Sequence, residues 1–149
     1  MKKLLAILVV VAIAVGAVVP VLAHTDNASA CTNGLTPGYW KNHKDLWPAA
    51  FSTDPYFDEW FAAYGGVPLS TAYATPPHAR LSVVLATGGG KFTALNRHAA
   101  AALLNSARFG AVEYYSLWYI NHWVHYAYSN GDWESVKDAF EDAYSWQAP

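Results

Sequence analysis

An all-α domain, a compact bundle of five or six short helices, is the fold class this 149-residue chain predicts. Three observations carry that expectation. Helix start and stop signals recur at short intervals along the chain. Between them, apolar residues return every three or four positions. No stretch alternates with period two for long, so strands have no pattern to rest on.

The first helix opens at Thr36, whose hydroxyl can cap free N–H groups, with Pro37 suited to the first helical position. Pro48 cannot continue it, so it should end near Leu46 or Trp47. Ser52-Thr53-Asp54-Pro55 repeats the start signal ahead of Tyr56, Phe57, Trp60, Phe61 and Tyr64, and Gly65-Gly66 closes that helix. Thr75-Pro76-Pro77 begins a third, with Leu81, Val84 and Leu85 on one side, and Gly88-Gly89-Gly90 ends it. Residues 91–108 form the strongest helix, because Ala99-Ala100-Ala101-Ala102 and Leu103-Leu104 are good helix formers. Its small side chains let neighbours approach closely, which makes it the expected centre. Gly110 stops it. Ser116 should cap a helix over residues 117–129, closed by Asn130-Gly131, and Asp132 a final amphipathic one through Val136, Ala139, Phe140 and Ala143.

Residues 1–23 read as an export signal. Met1-Lys2-Lys3 supplies the positive start, an apolar run follows to Val19, and Val21-Leu22-Ala23 fits the small-residue cleavage rule. An uncleaved leader is the rival reading, since the run is long enough to span a bilayer; it would be the chain's membrane contact. Residues 24–35 form a polar linker, and residues 36–147 the helical domain. The expected location is secreted or at the cell surface. Formal net charge is -2, and loss of Lys2 and Lys3 with the leader makes it more negative still. No basic patch is left to neutralise phosphates, which excludes nucleic acid as a partner. Cys31 is the one cysteine, so neither an internal disulfide nor a thiolate zinc site can form.

Chemistry concentrates in Tyr39-Trp40-Lys41-Asn42-His43, five consecutive side chains that all carry a polar group. On the first helix Tyr39, His43 and Trp47 share a face; on the central helix His98, Ala101 and Asn105 share another. If the two faces meet, His43 comes near His98 and Asn105, with Tyr39 and Arg97 at the edge. One reading is a buried polar network that sets helix register. The other is a metal or small-anion site with His43 and His98 as ligands or acid–base groups, lacking a third ligand. His122 and His125, at i and i+3, are a second pair able to face one metal, though no acidic residue lies in that helix to act as a base. A cleaved leader would also leave His24 as an N-terminal amine and imidazole suited to copper. Gly-Gly-Gly-Lys at 88–91 fails the phosphate-loop spacing and leaves at most an anion site at a helix start. Trp118, Tyr119, Trp123 and Tyr126 are candidate surface aromatics, because Leu117, Ile120, Val124 and Ala127 already supply that helix with an apolar stripe. Rings left outside can stack on a sugar or bury against a second copy of the chain.

Thr36-Pro37-Gly38-Tyr39-Trp40-Lys41-Asn42-His43, Gly88-Gly89-Gly90, and Asn96-Arg97-His98 running into the Ala/Leu stretch to Asn105 resemble a family of exported microbial proteins that share a "TPGYWKNH" motif. The resemblance implies export and a helical domain. It implies no activity. Members often carry another cysteine near the C-terminus, and this chain ends Tyr144-Ser145-Trp146-Gln147-Ala148-Pro149 without one. Two function classes follow from these readings. The first is an exported binding or structural module that uses the His/Asn/Tyr cluster and the surface aromatics, with a glycan or a second copy as partner. The alternative is a small metal-dependent enzyme with His43 and His98 in its site and zinc or copper as cofactor.

Overall fold

The structure, a computed structural model, describes residues 34–65, 69, 75–110 and 115–145. The expected leader, Cys31 and His24 lie outside these residues. Six α-helices make up the described chain: α1 (Pro37–Asn42), α2 (Phe57–Gly65), α3 (Leu81–Ala86), α4 (Phe92–Phe109), α5 (Leu117–Asn130) and α6 (Trp133–Ser145). Two single 3₁₀ turns, Lys44–Leu46 and Ala49–Phe51, join α1 to α2. Among the described residues no helix is long and apolar enough to cross a membrane.

The centre is α4, as its sequence predicts. It packs against α1, α3, α5 and α6, while α2 lies against α5. All eight residues from Ala99 to Ser106 are buried, so the helix is wrapped on every side over those two turns. Four alanines without exposed surface let the surrounding helices close in. They share one core with Trp40, Phe51, Phe57, Phe61, Tyr128 and Phe140, each essentially buried. This is how an aromatic-rich chain builds a core on an alanine axis: large rings bring buried area that the axis lacks.

Three elements differ from the sequence reading. First, α1 stops at Asn42 instead of continuing to Leu46 or Trp47. The side chains of Asn42 and His43 turn back onto the helix: Asn42 Nδ2 donates to the Gly38 carbonyl at 3.0 Å, and His43 Nδ1 lies 2.8 Å from the Tyr39 carbonyl. Those carbonyls need no further turn of helix, and the chain leaves through a 3₁₀ turn. Trp47 therefore does not continue the Tyr39–His43 face. It folds back buried, its indole N–H donating to the Trp40 carbonyl at 3.0 Å.

Second, Asp54 caps a different helix from the one it precedes. Its Oδ1 accepts from the Ser82 backbone N–H at 3.0 Å and its Oδ2 from the Ser82 hydroxyl at 2.6 Å, at the start of α3. Asp54 reaches that position with φ of 54°, the left-handed region that short polar side chains tolerate. Third, α3 starts at Leu81, not at Pro76; Arg80 is its N-cap, in extended conformation. The preceding strand-like segment is tied to the start of α2 by Phe57 N–H to Ala79 O and Leu81 N–H to Pro55 O, at 2.9 and 3.0 Å. Elsewhere the signals act where they stand: Thr36 and Ser116 accept from the N–H of Tyr39 and Tyr119, and Gly131 ends α5 in left-handed conformation at φ 73°.

Candidate functional site

The first cluster sits where α1 meets α4. Asn105, fully buried, makes three hydrogen bonds. Its Oδ1 accepts from the Leu35 N–H at 2.8 Å and from the Trp40 indole at 2.9 Å, and its Nδ2 donates to the Leu35 carbonyl at 2.9 Å. One amide thus satisfies a buried indole and pairs with both backbone groups of a residue 70 positions away, as a neighbouring strand would. Leu35 and the buried Gly34, assigned to the linker by sequence, already belong to the fold.

Asn105 does meet α1, but through Trp40 rather than His43. His43 is half-buried and stacked on Tyr39, ring centroids 4.1 Å apart and nearly parallel at 15°. The Tyr39 carbonyl can only accept, so His43 Nδ1 carries the proton of that bond. Lys41 and Asn42 are exposed. His98 lies two turns from Asn105 along α4, about 10.5 Å by helix rise. Burial pushes its imidazole below the usual 6.5, and the charges acting on it are Glu141, Lys137 and Asp138 of α6 and Arg97 of its own helix. Arg97 itself turns to the preceding loop, donating to the Thr87 and Gly89 carbonyls at 2.8 and 3.0 Å. Of the residues expected to meet there, Asn105 is joined to α1 by its bond with the Trp40 indole. Among the described residues no group of three or more His, Cys, Asp or Glu side chains is arranged to hold a metal ion.

The second cluster is the outer surface of α5. Ile120, Asn121, Val124, Ala127 and Tyr128 take the buried side. Opposite them Trp118 is 65 % exposed and Tyr126 40 %, while Tyr119 and Trp123 are half-buried. The rings form a connected strip. Trp118 stacks on His122 at 5.3 Å with only 9° between planes. Trp123 joins the rows, 5.7 Å from His122, 5.8 Å from Tyr119 and 5.3 Å from Tyr126. Tyr119 stacks in turn on Tyr115, whose hydroxyl donates to the Ala139 carbonyl of α6 at 3.2 Å. The strip is thereby fastened to the core at one end and open at the other.

His122 and His125 do different work despite their spacing. His122 belongs to the ring strip. His125 hydrogen-bonds the backbone of Phe61 in α2; burial lowers its pKa, and that bond opposes the shift. His125 Nε2 and the Oδ1 of Asn121, one turn away, are buried and without a hydrogen-bond partner.

Sequence reasoning missed two groups. Asp54 joins the Ser82 contacts to an ion pair with Lys44 at 2.7 Å. Burial raises its pKa, yet the bonds from Lys44 and Ser82 outweigh burial and hold it below the usual 3.8. The cue was present, since Asp before Pro is a capping pattern, but the capped helix starts 27 residues later. Asn96 and Tyr128 are the other group. The Tyr128 hydroxyl donates to Asn96 Oδ1 at 2.8 Å inside the core. Burial pushes that hydroxyl up to about 12, with the Asn96 bond acting in the opposite direction.

Comparison with known proteins found no matching family, no matching curated protein and no matching solved structure.

Proposed function

We propose that this chain is an exported surface-binding module that holds carbohydrate on the aromatic strip of α5. The observation that carries the reading is Trp118, 65 % exposed and held flat against His122. An exposed indole costs solvation free energy, and a ring already oriented by a stacked neighbour loses little freedom on meeting a ligand. Every ring in the strip also carries an N–H, O–H or ring nitrogen at its edge. A pyranose needs that combination, an apolar face with donors and acceptors around it. A second copy of the chain fits less well. Only four large apolar side chains are exposed among the described residues, Trp118 and Tyr126 on α5 and Leu46 and Val83 elsewhere. Leu46 and Val83 are not on α5, so the strip carries two of the four. Export rests on the leader and on the TPGYWKNH resemblance.

The test is titration of cello-, xylo- and chito-oligosaccharides into the protein, followed by tryptophan fluorescence and calorimetry. At least one series should bind. Trp118→Ala should weaken it about three- to tenfold, the worth of one aromatic stacking contact. Because Trp118 is exposed, unfolding temperature should not move. Absence of binding in all three series, or binding indifferent to Trp118→Ala, would overturn the reading. Sedimentation that shifts with concentration and is abolished by the same variant would assign the strip to self-association instead.

A further inference from the structure

Away from α5, a cavity of about 210 Å³ opens between α3, the first turns of α4 and the segment leading into α3. Pro77, Ala79, Val84 and Phe92 give it apolar walls, Thr87 and Thr93 carry hydroxyls, and Asn96 is the remaining lining residue. None of the seven has an ionisable side chain. A charged occupant would lose its hydration with no counter-charge in return, so the cavity selects against ions. Size narrows the choice further. An apolar cavity of roughly 150 Å³ is enough to hold benzene. The volume here takes one six-membered ring with a short substituent.

Asn96 sets the polar requirement. It is only 3 % exposed, and its Oδ1 is occupied by the Tyr128 hydroxyl. The part of the amide that Tyr128 does not engage is its Nδ2 group, a donor, which calls for an acceptor on the occupant. The rim is held in shape independently. Arg97 ties the Thr87 and Gly89 carbonyls together from α4. Gly89 sits at φ 119° and Lys91, unusually for a residue with a side chain, at φ 51°.

We propose that this cavity binds a small neutral ring compound bearing one hydrogen-bond acceptor, such as an aryl ketone. The site is separate from the α5 strip and does not depend on it. Acetophenone is the direct probe, ethylbenzene its counterpart without the acceptor, and benzoate its charged analogue. In ¹⁵N-resolved NMR titrations of the full chain, acetophenone should shift the Asn96 side-chain amide together with the backbone amides of Thr87 and Thr93. Ethylbenzene should bind about three- to tenfold more weakly, the worth of one hydrogen bond, and benzoate should not bind there. Thr93→Phe, at a half-buried position of the first turn, should fill the space and abolish the shifts. If that variant fails to fold, the three-probe comparison on the unaltered protein decides alone. No shift at Asn96 with millimolar acetophenone, or equal binding of all three probes, would overturn the proposal.

Discussion

The side chain of Asn105 replaces backbone pairing where α1 meets α4. Its amide takes the place of water for the Leu35 N–H, the Leu35 carbonyl and the Trp40 indole together. Asn105→Ala strands all three. A buried polar group left unpaired costs about 1–3 kcal/mol, so the variant should lose about 3 kcal/mol or more in urea unfolding. A loss under about 1 kcal/mol would mean that the three groups find other partners. His43→Ala removes a carbonyl partner and a stacked ring at the partly exposed end of α1, and should cost about 1 kcal/mol. Asn105 was legible as a residue of the α1–α4 contact, because small neighbours at Ala101 and Ala102 mark where a helix can approach. Its partner was not. That inference extended α1 as one regular helix, and the side chains that end it early, Asn42 and His43, are the same residues that looked like site chemistry.

Between elements, the decisive contact is a cap delivered through space. Arg80 precedes α3 without a capping side chain, and Asp54 supplies the acceptor instead. Asp54→Ala should therefore destabilise by about 1–2 kcal/mol, the usual loss for a helix cap. Lys44→Ala should cost less, about 0–1 kcal/mol, since its side chain is 53 % exposed and Ser82 still holds the Asp54 carboxylate. Equal losses from both variants would place the energy in the ion pair rather than in the cap. Local signals found all six helices, because caps, glycines and spacing act within a few residues. They placed the starts of α2 and α3 wrongly for one reason: Asp54-Pro55 and Pro76-Pro77 carry start chemistry that the fold uses for a tied pair of extended segments.

At the scale of the whole molecule, acid should act in two stages. His98 and His125 have folded pKa values lowered by burial. The unfolded chain then binds more protons than the folded one as pH falls through about 6.5, so stability drops on the acid side and is full above it. Asp54 is lowered as well, so its contribution is present above about 3.9, its unfolded value, and is lost as pH falls further. Unfolding temperature measured from pH 8 to pH 3 should level off above neutrality and decline in those two windows. A profile flat from pH 7.5 to 5 would exclude the histidine stage. The architecture itself was readable, since one alanine-rich helix amid aromatic-bearing ones leaves few ways to bury both. The α5 strip was readable too, as a surplus of rings over what one buried stripe can take. The cavity was not, because its walls come from three separated segments and none of its residues advertises a role.

The pairing of Leu35 with Asn105 also sets a route for mechanical load. Tension applied through the chain at Gly34 meets α4 before it can peel α1, because both backbone groups of Leu35 are held by Asn105. The helix that receives the load is the longest among the described residues, and it packs against α1, α3, α5 and α6. A tether at this end would be anchored in the middle of the domain rather than at its rim, so the aromatic strip on α5 should keep its shape under pulling forces that would unravel a terminal helix. In single-molecule extension from the N-terminal side, Asn105→Ala should turn one abrupt unfolding event into an early, low-force release of residues 34–51 followed by the rest. Unchanged force traces would show that the load enters elsewhere.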